Sequence, residues 1–224
     1  MKTQKRIDVK RAFSAMDLLL MLAGIGFLFV VVMPSLVPRK HHGSVRIQCV
    51  NNLKQNGIAF RIWADDNGDL YPMQYRVKDF DGPSYANEKQ MFIYFQSMSN
   101  ELSNPKMVRC PEDDKRAAST NFTTDFNSSR VSYFVGLDAN GTNAANLLAG
   151  DRNITSGIAP KNGMLEIATN QVIWTNQTVA WTKKIHKNAG NILFADGHVE
   201  QLTSSKLREA LLRSGMATNR LVFP

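Results

Sequence analysis

The chain has 224 residues, of which 43% are hydrophobic and 21% are charged. These values fit one folded domain with an anchoring segment and exclude a large multidomain enzyme, a wholly disordered chain and a coiled coil. The formal charge of +8 is concentrated at the N-terminus, because removal of residues 1–12 leaves 22 basic and 18 acidic residues, a net charge of +4. Two cysteines without a CxxC pair exclude a small disulfide scaffold and a zinc motif of closely spaced ligands.

A basic leader, residues 1–12, precedes a segment that the sequence predicts to be a transmembrane helix over residues 13–38. The 21 residues from Leu18 to Pro38 carry no charge, and about 20 apolar residues cross the hydrocarbon core as a helix. A secretory signal has a shorter apolar stretch of about 7–15 residues, and a buried core helix of a soluble protein is apolar along one stripe. The positive-inside rule favours a cytoplasmic leader, which places the rest of the chain outside.

A second, amphipathic helix is predicted over residues 44–66. Apolar or small residues recur every three or four positions from Ile47 to Ala64. Turn residues at 67–68 and 71–72 then end the helix. The remaining residues, 67–224, are predicted to form an extracytoplasmic α+β domain.

Short strands and turns dominate the predicted domain. Residues 90–98 favour a short helix, and residues 110–163 are predicted to be mostly loop with short strands. The candidate strands are residues 131–135, 164–167, 171–174 and 178–181.

A β-hairpin and a final helix are predicted near the C-terminus. Residues 191–195 and 198–202 flank Asp196-Gly197, and Asp-Gly between such runs suits a type I′ turn, whose two central residues have positive φ. Ser204 or Ser205 can cap a helix that runs through Arg213 and stops at Gly215.

Asp17 lies at the start of the apolar segment, where a carboxylate either marks a functional site or sits at headgroup level. The basic leader, a small residue, Phe13 and an acid four residues later resemble the signal of type IV prepilins and type II secretion pseudopilins. The resemblance implies that a prepilin peptidase cuts between Ala12 and Phe13 and that the new amine is methylated. It also implies that Asp17 pairs with the N-terminus of a neighbouring subunit in a filament. The family usually has Gly before the cut and Glu as the acid, where this chain has Ala12 and Asp17.

A second group of motifs resembles the H-X9-DG family of prepilin-like proteins. His186 is followed after nine residues by Asp196 and Gly197. Further matches lie at residues 49–55, 64–68, 110–111, 150–153, 189–191 and 219–221. The resemblance implies an α+β, pilin-like fold, in which a long N-terminal helix spans the membrane with its first half and packs its amphipathic half on an antiparallel β-sheet. A short C-terminal helix completes the predicted fold.

Two groups of residues are candidate metal ligands. His186, Asp196 and His198 can bind a transition metal if they converge; the alternative is a structural turn with a hydrogen-bonded His186. Residues Asp65, Asn67 and Asp69 have the spacing at the start of an EF-hand, but Arg76 occupies the place of its bidentate Glu. A calcium site completed by distant loops and a helix-terminating turn remain alternatives there. We predict no resident metal or other cofactor, with calcium as the alternative.

Cys49 and Cys110 form an even pair in a chain predicted to lie outside the cytoplasm, where disulfides persist. They either form a disulfide or remain two buried thiols.

The expected function is that of a non-enzymatic, membrane-anchored pseudopilin-like subunit. The resemblance implies an inner-membrane location with a periplasmic domain, and prepilin peptidase and other pilin-like subunits as partners. No catalytic motif is recognisable, and dispersed Lys and Arg predict no nucleic-acid partner. The alternatives are a single-pass anchored binding or metal-dependent hydrolytic domain that uses the His186/Asp196/His198 region, and a cytoplasmic DNA-binding protein.

Overall fold

The computed structural model describes residues 14–36, 42–169 and 179–224. The chain divides into two compact units at the boundary between His41 and His42. The first unit contains one described helix, α1 (Ala15–Leu36), and the second contains an α+β domain. The predicted cleavage site at Ala12 and Phe13, the strand at residues 171–174 and residue 178 lie outside the described residues.

Helix α1 is long and apolar enough to cross a membrane. Its 22 residues extend about 33 Å, slightly more than the hydrocarbon core of a bilayer. A capping box starts the helix: Ser14 Oγ accepts the Met16 N–H at 3.3 Å, and Asp17 Oδ2 accepts the Ser14 N–H at 3.1 Å. The prediction of an apolar helix of membrane-spanning length is confirmed.

The second unit begins with helix α2 (His42–Asp66), which starts two residues before the predicted position. Its end is a Schellman motif, in which the Asp69 N–H donates to the Ala64 carbonyl at 2.9 Å and Gly68 has a φ of 68°. Asp65, Asn67 and Asp69 therefore lie in or beside a helix-terminating turn. Calcium binding there stays a prediction.

The domain alternates short helices with strands. Within the described residues, the α-helices after α2 are α3 (Phe92–Ser97), α4 (Ser99–Leu102) and α5 (Ser204–Arg213). Short 3-10 helices lie at Gly82–Tyr85, Pro105–Val108 and Ser128–Arg130. The strands are β1 (Arg76–Val77), β2 (Phe80–Asp81), β3 (Tyr133–Gly136), β4 (Leu147–Asp151), β5 (Ile154–Thr155), β6 (Met164–Ala168), β7 (Ala180–Trp181), β8 (Ala189–Phe194), β9 (Val199–Thr203) and β10 (Thr218–Val222).

Six strands form one antiparallel sheet in the order β6-β10-β3-β4-β8-β9. The last strand in the chain, β10, is inserted between β6 and β3. Strands β1 with β2, and β5 with β7, form two small antiparallel pairs. The α+β class, with an antiparallel sheet and a short C-terminal helix, is confirmed.

Each face of the sheet supports its own hydrophobic core, because successive side chains of a strand point to opposite faces. Tyr133 and Val135 belong to the core that includes α2, whereas Phe134 belongs to the core that includes α5. Gly57 of α2 permits close contact with the sheet, since a Cβ there would lie 2.8 Å from Leu193 Cδ1. The sheet is therefore the middle layer between α2 and α5.

The β8–β9 hairpin does not have the predicted type I′ turn. Gly197 has a φ of 90°, whereas Ala195 and Asp196 are not among the residues with positive φ. The Gly197 N–H donates to Phe194 O at 2.9 Å, and the Phe194 N–H donates to His198 O at 3.0 Å. This is a three-residue loop, a type I turn followed by a left-handed glycine. The type I′ prediction is wrong because Ala195 and Asp196, rather than Asp196 and Gly197, are the two central residues.

Two further details of the prediction need correction. Helix α5 is capped by Thr203, whose Oγ1 accepts the Lys206 N–H, while Ser204 Oγ accepts the Trp181 N–H. Strands β4 and β10 were not predicted. All of β4 is buried, so it lacks the alternation of a half-exposed strand. It also contains Gly and Asp, which are typical of turns.

Candidate functional site

The most unusual backbone in the described domain lies just before β8. His186, Lys187 and Asn188 have φ values of 54°, 50° and 66°, in the left-handed region that costs a non-glycine residue about 1–2 kcal/mol. Such a conformation persists only where the surroundings hold it in place. The three residues therefore mark a tightly supported loop.

Asn153 and Arg46 supply that support. Asn153 Nδ2 lies at 3.0, 2.8 and 3.1 Å from the carbonyl oxygens of Thr182, Ile185 and Ala189, which share its two N–H donors. Arg46 Nη2 donates to the His186 carbonyl at 2.6 Å. One buried amide thus closes the loop, and a guanidinium on α2 anchors it to the helix.

The imidazole of His186 is completely buried and lies beside polar groups of four residues from three other segments. Its Nδ1 lies 2.6 Å from Glu112 Oε2. Its Nε2 lies 3.3 Å from Cys110 Sγ, 3.4 Å from Asp151 Oδ2 and 3.2 Å from Asn191 Nδ2. Burial lowers the pKa of His186, which favours the neutral ring. A neutral ring with its proton on Nδ1 places that N–H beside the Glu112 carboxylate and leaves Nε2 as an acceptor for the Asn191 amide.

Asp151, the last residue of β4, is the second buried ionisable group. Its Oδ2 accepts the Asn191 backbone N–H at 2.6 Å and Asn191 Nδ2 at 2.9 Å. Burial nevertheless raises the pKa of the Asp151 carboxyl to about 7. A carboxyl group in this position therefore changes its charge near neutral pH.

A disulfide joins Cys49 of α2 to Cys110 in the loop after α4, with the two Cα atoms 5.0 Å apart. Of the two alternatives that the sequence leaves open, the structure has the disulfide. Both cysteines are fully buried. The disulfide therefore forms one wall of the polar site around His186.

Charge pairs close the site towards the surface. Asp113 Oδ2 and Oδ1 accept from Arg152 Nε and Nη2 at 2.7 and 2.9 Å, a bidentate pair. The Glu112 side chain is 16% exposed and the Arg46 side chain 33% exposed, so these two groups lie between the buried histidine and solvent. We call Cys49, Cys110, Glu112, Asp151, His186 and Asn191 the His186 cluster.

Asp196, Gly197 and His198 lie elsewhere, at the tip of the β8–β9 hairpin. Six residues of β8 separate the His186 loop from this tip, which corresponds to about 20 Å in an extended strand. His198 Nδ1 lies 2.5 Å from Asp196 Oδ1, and its ring stacks on Phe194 at 4.4 Å. The hypothesis that His186, Asp196 and His198 converge on a metal is therefore wrong. A metal-dependent function that uses these three residues together as ligands is therefore not supported by their positions.

The hairpin tip is itself held against α2 and the residues that follow it. Arg61 Nη1 donates to the Asp196 carbonyl at 2.9 Å, and the Tyr71 hydroxyl donates to the Ala195 carbonyl at 3.1 Å. Since these contacts use backbone carbonyls, the tip has a structural role in joining α2 to the sheet.

Among the described residues, one group of three His, Cys, Asp or Glu side chains has all its donor atoms within 4.8 Å: Cys49, Cys110 and His186. Sequence reasoning did not link His186 to either cysteine, nor to Glu112, Asp151 or Asn191. The motifs at residues 110–111, 150–153 and 189–191 contained or adjoined these partners. These motifs were the signal in the sequence that could have pointed to the partners of His186.

His186, Asp151, Asn191 and both cysteines are fully buried, and Glu112 is the partly exposed member of the cluster. What the His186 cluster does is tie α2, the Cys110 loop, the end of β4 and the start of β8 into one unit. Comparison with protein-family models, curated proteins and solved structures gives no match to this chain. Its function is therefore argued from its own residues.

Proposed function

We propose that the protein is a non-enzymatic, membrane-anchored pilin-like subunit of a type II secretion or type IV pilus-like filament. Prepilin peptidase removes the leader between Ala12 and Phe13. The subunit is stored in the inner membrane with its α+β domain outside the cytoplasm. The observation that carries the proposal is Asp17 in the first turn of an otherwise uncharged helix, α1, behind a basic leader.

The exposure of α1 supports this proposal. The side chains of residues 14–33 are all exposed, and Asp17 is the charged residue among them. Such a helix needs lipid or other apolar helices around it. In a stored subunit, lipid would surround α1. In an assembled subunit, the α1 helices of neighbouring subunits would surround it.

Asp17 then acts by charge neutralisation. When the leader is removed, the amine of Phe13 is the N-terminus of the chain. A positively charged amine inside a bundle of apolar helices is strongly destabilised unless an opposite charge lies nearby. The Asp17 carboxylate of the adjacent subunit supplies that charge, so each added subunit depends on the acid of its neighbour.

The surface of α2 also suits assembly. Cys49, Leu53 and Phe60 on one face are buried in the domain core. The isoleucines at 47, 58 and 62 lie on an outer face and are exposed. Ile58 and Ile62 lie one turn apart on this face, whereas the exposed residues Asn51 and Lys54 separate them from Ile47. The apolar part of this face is a surface that a neighbouring subunit can cover.

Substitutions at Asp17 test the proposal. We expect Asp17→Asn, which keeps the shape of the side chain without its charge, to insert into membranes normally but to lose multimers after crosslinking in native-host membranes. Asp17→Glu, which restores the acid usual in the family, is the matched control and should form multimers. Wild-type levels of multimers from Asp17→Asn would contradict the charge-pair mechanism.

A further inference from the structure

We propose that the His186 cluster is a divalent-cation site that the Cys49–Cys110 disulfide keeps closed. When a dithiol reduces the disulfide, Cys49 Sγ, Cys110 Sγ and His186 Nε2 bind a cation of the zinc class, with Asp151 as the fourth donor. This inference is independent of the assembly function proposed above.

The donor atoms are already close to the required positions. With Zn–S bonds of about 2.3 Å and Zn–N bonds of about 2.0–2.1 Å, sulfur and nitrogen ligands of a tetrahedral zinc ion lie roughly 3.5 Å apart. Cys110 Sγ and His186 Nε2 are separated by 3.3 Å. The three donors all lie within 4.8 Å of one another and are buried. Two rearrangements are needed: the two sulfurs must separate after their bond is broken, and the Asp151 carboxylate, which lies outside this group of three, must move towards them.

The surroundings of His186 are those of a ligating histidine. Metal-bound histidines almost always donate their other ring N–H to a carboxylate, a backbone carbonyl or water. Glu112 Oε2 lies 2.6 Å from Nδ1, on the side of the ring where such a carboxylate partner belongs. Nε2, which faces Cys110, is then the unprotonated nitrogen, and a cation bound there would replace its contact with Asn191 Nδ2.

Asp151 provides the second, independent observation. It is fully buried, and its Oδ2 lies 3.4 Å from His186 Nε2. Its other oxygen, Oδ1, is buried and accepts no hydrogen bond from the described residues. A buried carboxylate with an unused oxygen costs free energy unless a positive charge or a proton is added. A cation between the sulfurs and His186 would remove that cost.

The chemistry balances with a dithiol and a divalent cation. The dithiol transfers two electrons and two protons to the disulfide, forming two protein thiols and its own disulfide. The cation then binds the two sulfurs as thiolates and releases the two protons. Because the metal joins the same two residues as the disulfide, α2 stays attached to the Cys110 loop. We propose that the cation enters past Glu112 and Arg46, whose side chains are partly exposed.

Cobalt titration of the full-length chain in detergent tests the site. The chain is treated with dithiothreitol until both cysteines react as thiols, and the reagent is removed without air. We expect the reduced chain to bind one Co²⁺ with the sulfur-to-cobalt charge-transfer band and the ligand-field bands of a tetrahedral site. The oxidised chain should bind none. His186→Ala should weaken binding more than about 10-fold, whereas His198→Ala, at the hairpin tip, should not change it.

X-ray absorption on the zinc-loaded, reduced wild-type chain provides a test that needs no variant. We expect two sulfur neighbours at about 2.3 Å and lighter donors at about 2.0 Å. Binding by His186→Ala as tight as that of the wild type, or a zinc ion with sulfur but no nitrogen neighbour, would overturn the proposal. So would a reduced chain that unfolds or binds no cobalt, or a disulfide that the dithiol cannot reduce in the folded chain.

Discussion

Glu112 and His186 are 74 positions apart in the chain, yet Glu112 Oε2 lies 2.6 Å from the Nδ1 atom of the fully buried His186. The contact depends on three constraints that act together. The disulfide fixes the segment containing Glu112 on α2, Arg46 anchors the His186 carbonyl to the same helix, and Asn153 closes the His186 loop. His186 is thus a structural centre of the domain.

His186→Ala is expected to destabilise the domain by about 2–4 kcal/mol. The change leaves Glu112 without its imidazole contact and removes an acceptor for the buried Asn191 amide, which costs about 1–3 kcal/mol per unsatisfied group. It also leaves a cavity. Thermal and denaturant unfolding of the full-length chain in detergent measures the loss. His198→Ala is the control, since its exposed ring should change the free energy of unfolding by about 0.5 kcal/mol or less; equal effects of the two variants would contradict the structural role of His186.

Asp151→Asn is expected to change how stability depends on pH. The folded-state pKa of Asp151 is raised to about 7 by burial, whereas in the unfolded chain it is about 3.9. The folded state therefore binds more protons between these values, so the Asp151 contribution is fully present below pH about 4 and is lost as pH rises through about 7. His186 acts in the opposite direction, because its lowered pKa makes its contribution decline as pH falls below about 6.5.

The difference between wild type and Asp151→Asn isolates the carboxyl group. We expect the free energy of unfolding of the variant, relative to wild type, to rise between pH 4 and 7. Asp114→Asn, an exposed acid nearby in the Cys110 loop, serves as the matched control. A wild-type minus variant difference that does not change with pH would show that Asp151 titrates normally.

Removal of the disulfide is expected to destabilise the domain substantially. The cysteines are separated by 61 positions, and the chain-entropy model gives about 4 kcal/mol for a loop of that length. We expect Cys49→Ala/Cys110→Ala to lower the free energy of unfolding by a comparable amount in the presence and absence of a dithiol. The wild-type chain should lose stability only when the dithiol is present. A double variant as stable as the oxidised wild type would contradict a stabilising role for the bond.

Local patterns account for the parts of the fold that the sequence predicts well. Three patterns each lie within one segment of the chain. They are the uncharged run before Pro38, the recurrence of apolar residues every three or four positions in α2, and the Ser, Lys and Leu pattern of α5. Strand β4 is different, because its identity depends on neighbours on both sides of the sheet and on two covering cores. Taken without those neighbours, Gly150 and Asp151 are residue types typical of turns.

The candidate site could be predicted only in part, for the same reason. The motifs around Cys110, Gly150 and Ala189 name residues of the cluster or their neighbours, but their convergence depends on the pairing of β4 with β8. His186 and Asp196 are neighbours in the signature, whereas β8 carries them to opposite ends of a strand. The spacing of His186 and Asp196 along the chain indicates that both belong to one hairpin. It does not show which end of that hairpin lies beside the disulfide.

The proposed use of the chain as a pilin-like subunit requires cleavage before Phe13, so the N-terminus of the mature protein is the first property to measure. The measurement is the intact mass and N-terminal fragment mass of the protein recovered from the membranes of its native host. We predict a chain that begins at N-methylated Phe13. Its free, methylated amine is the group that Asp17 of a neighbouring subunit would neutralise. A chain that begins at Met1 would contradict the account, because the leader would remain and no Phe13 amine would exist for Asp17 of a neighbouring subunit to neutralise.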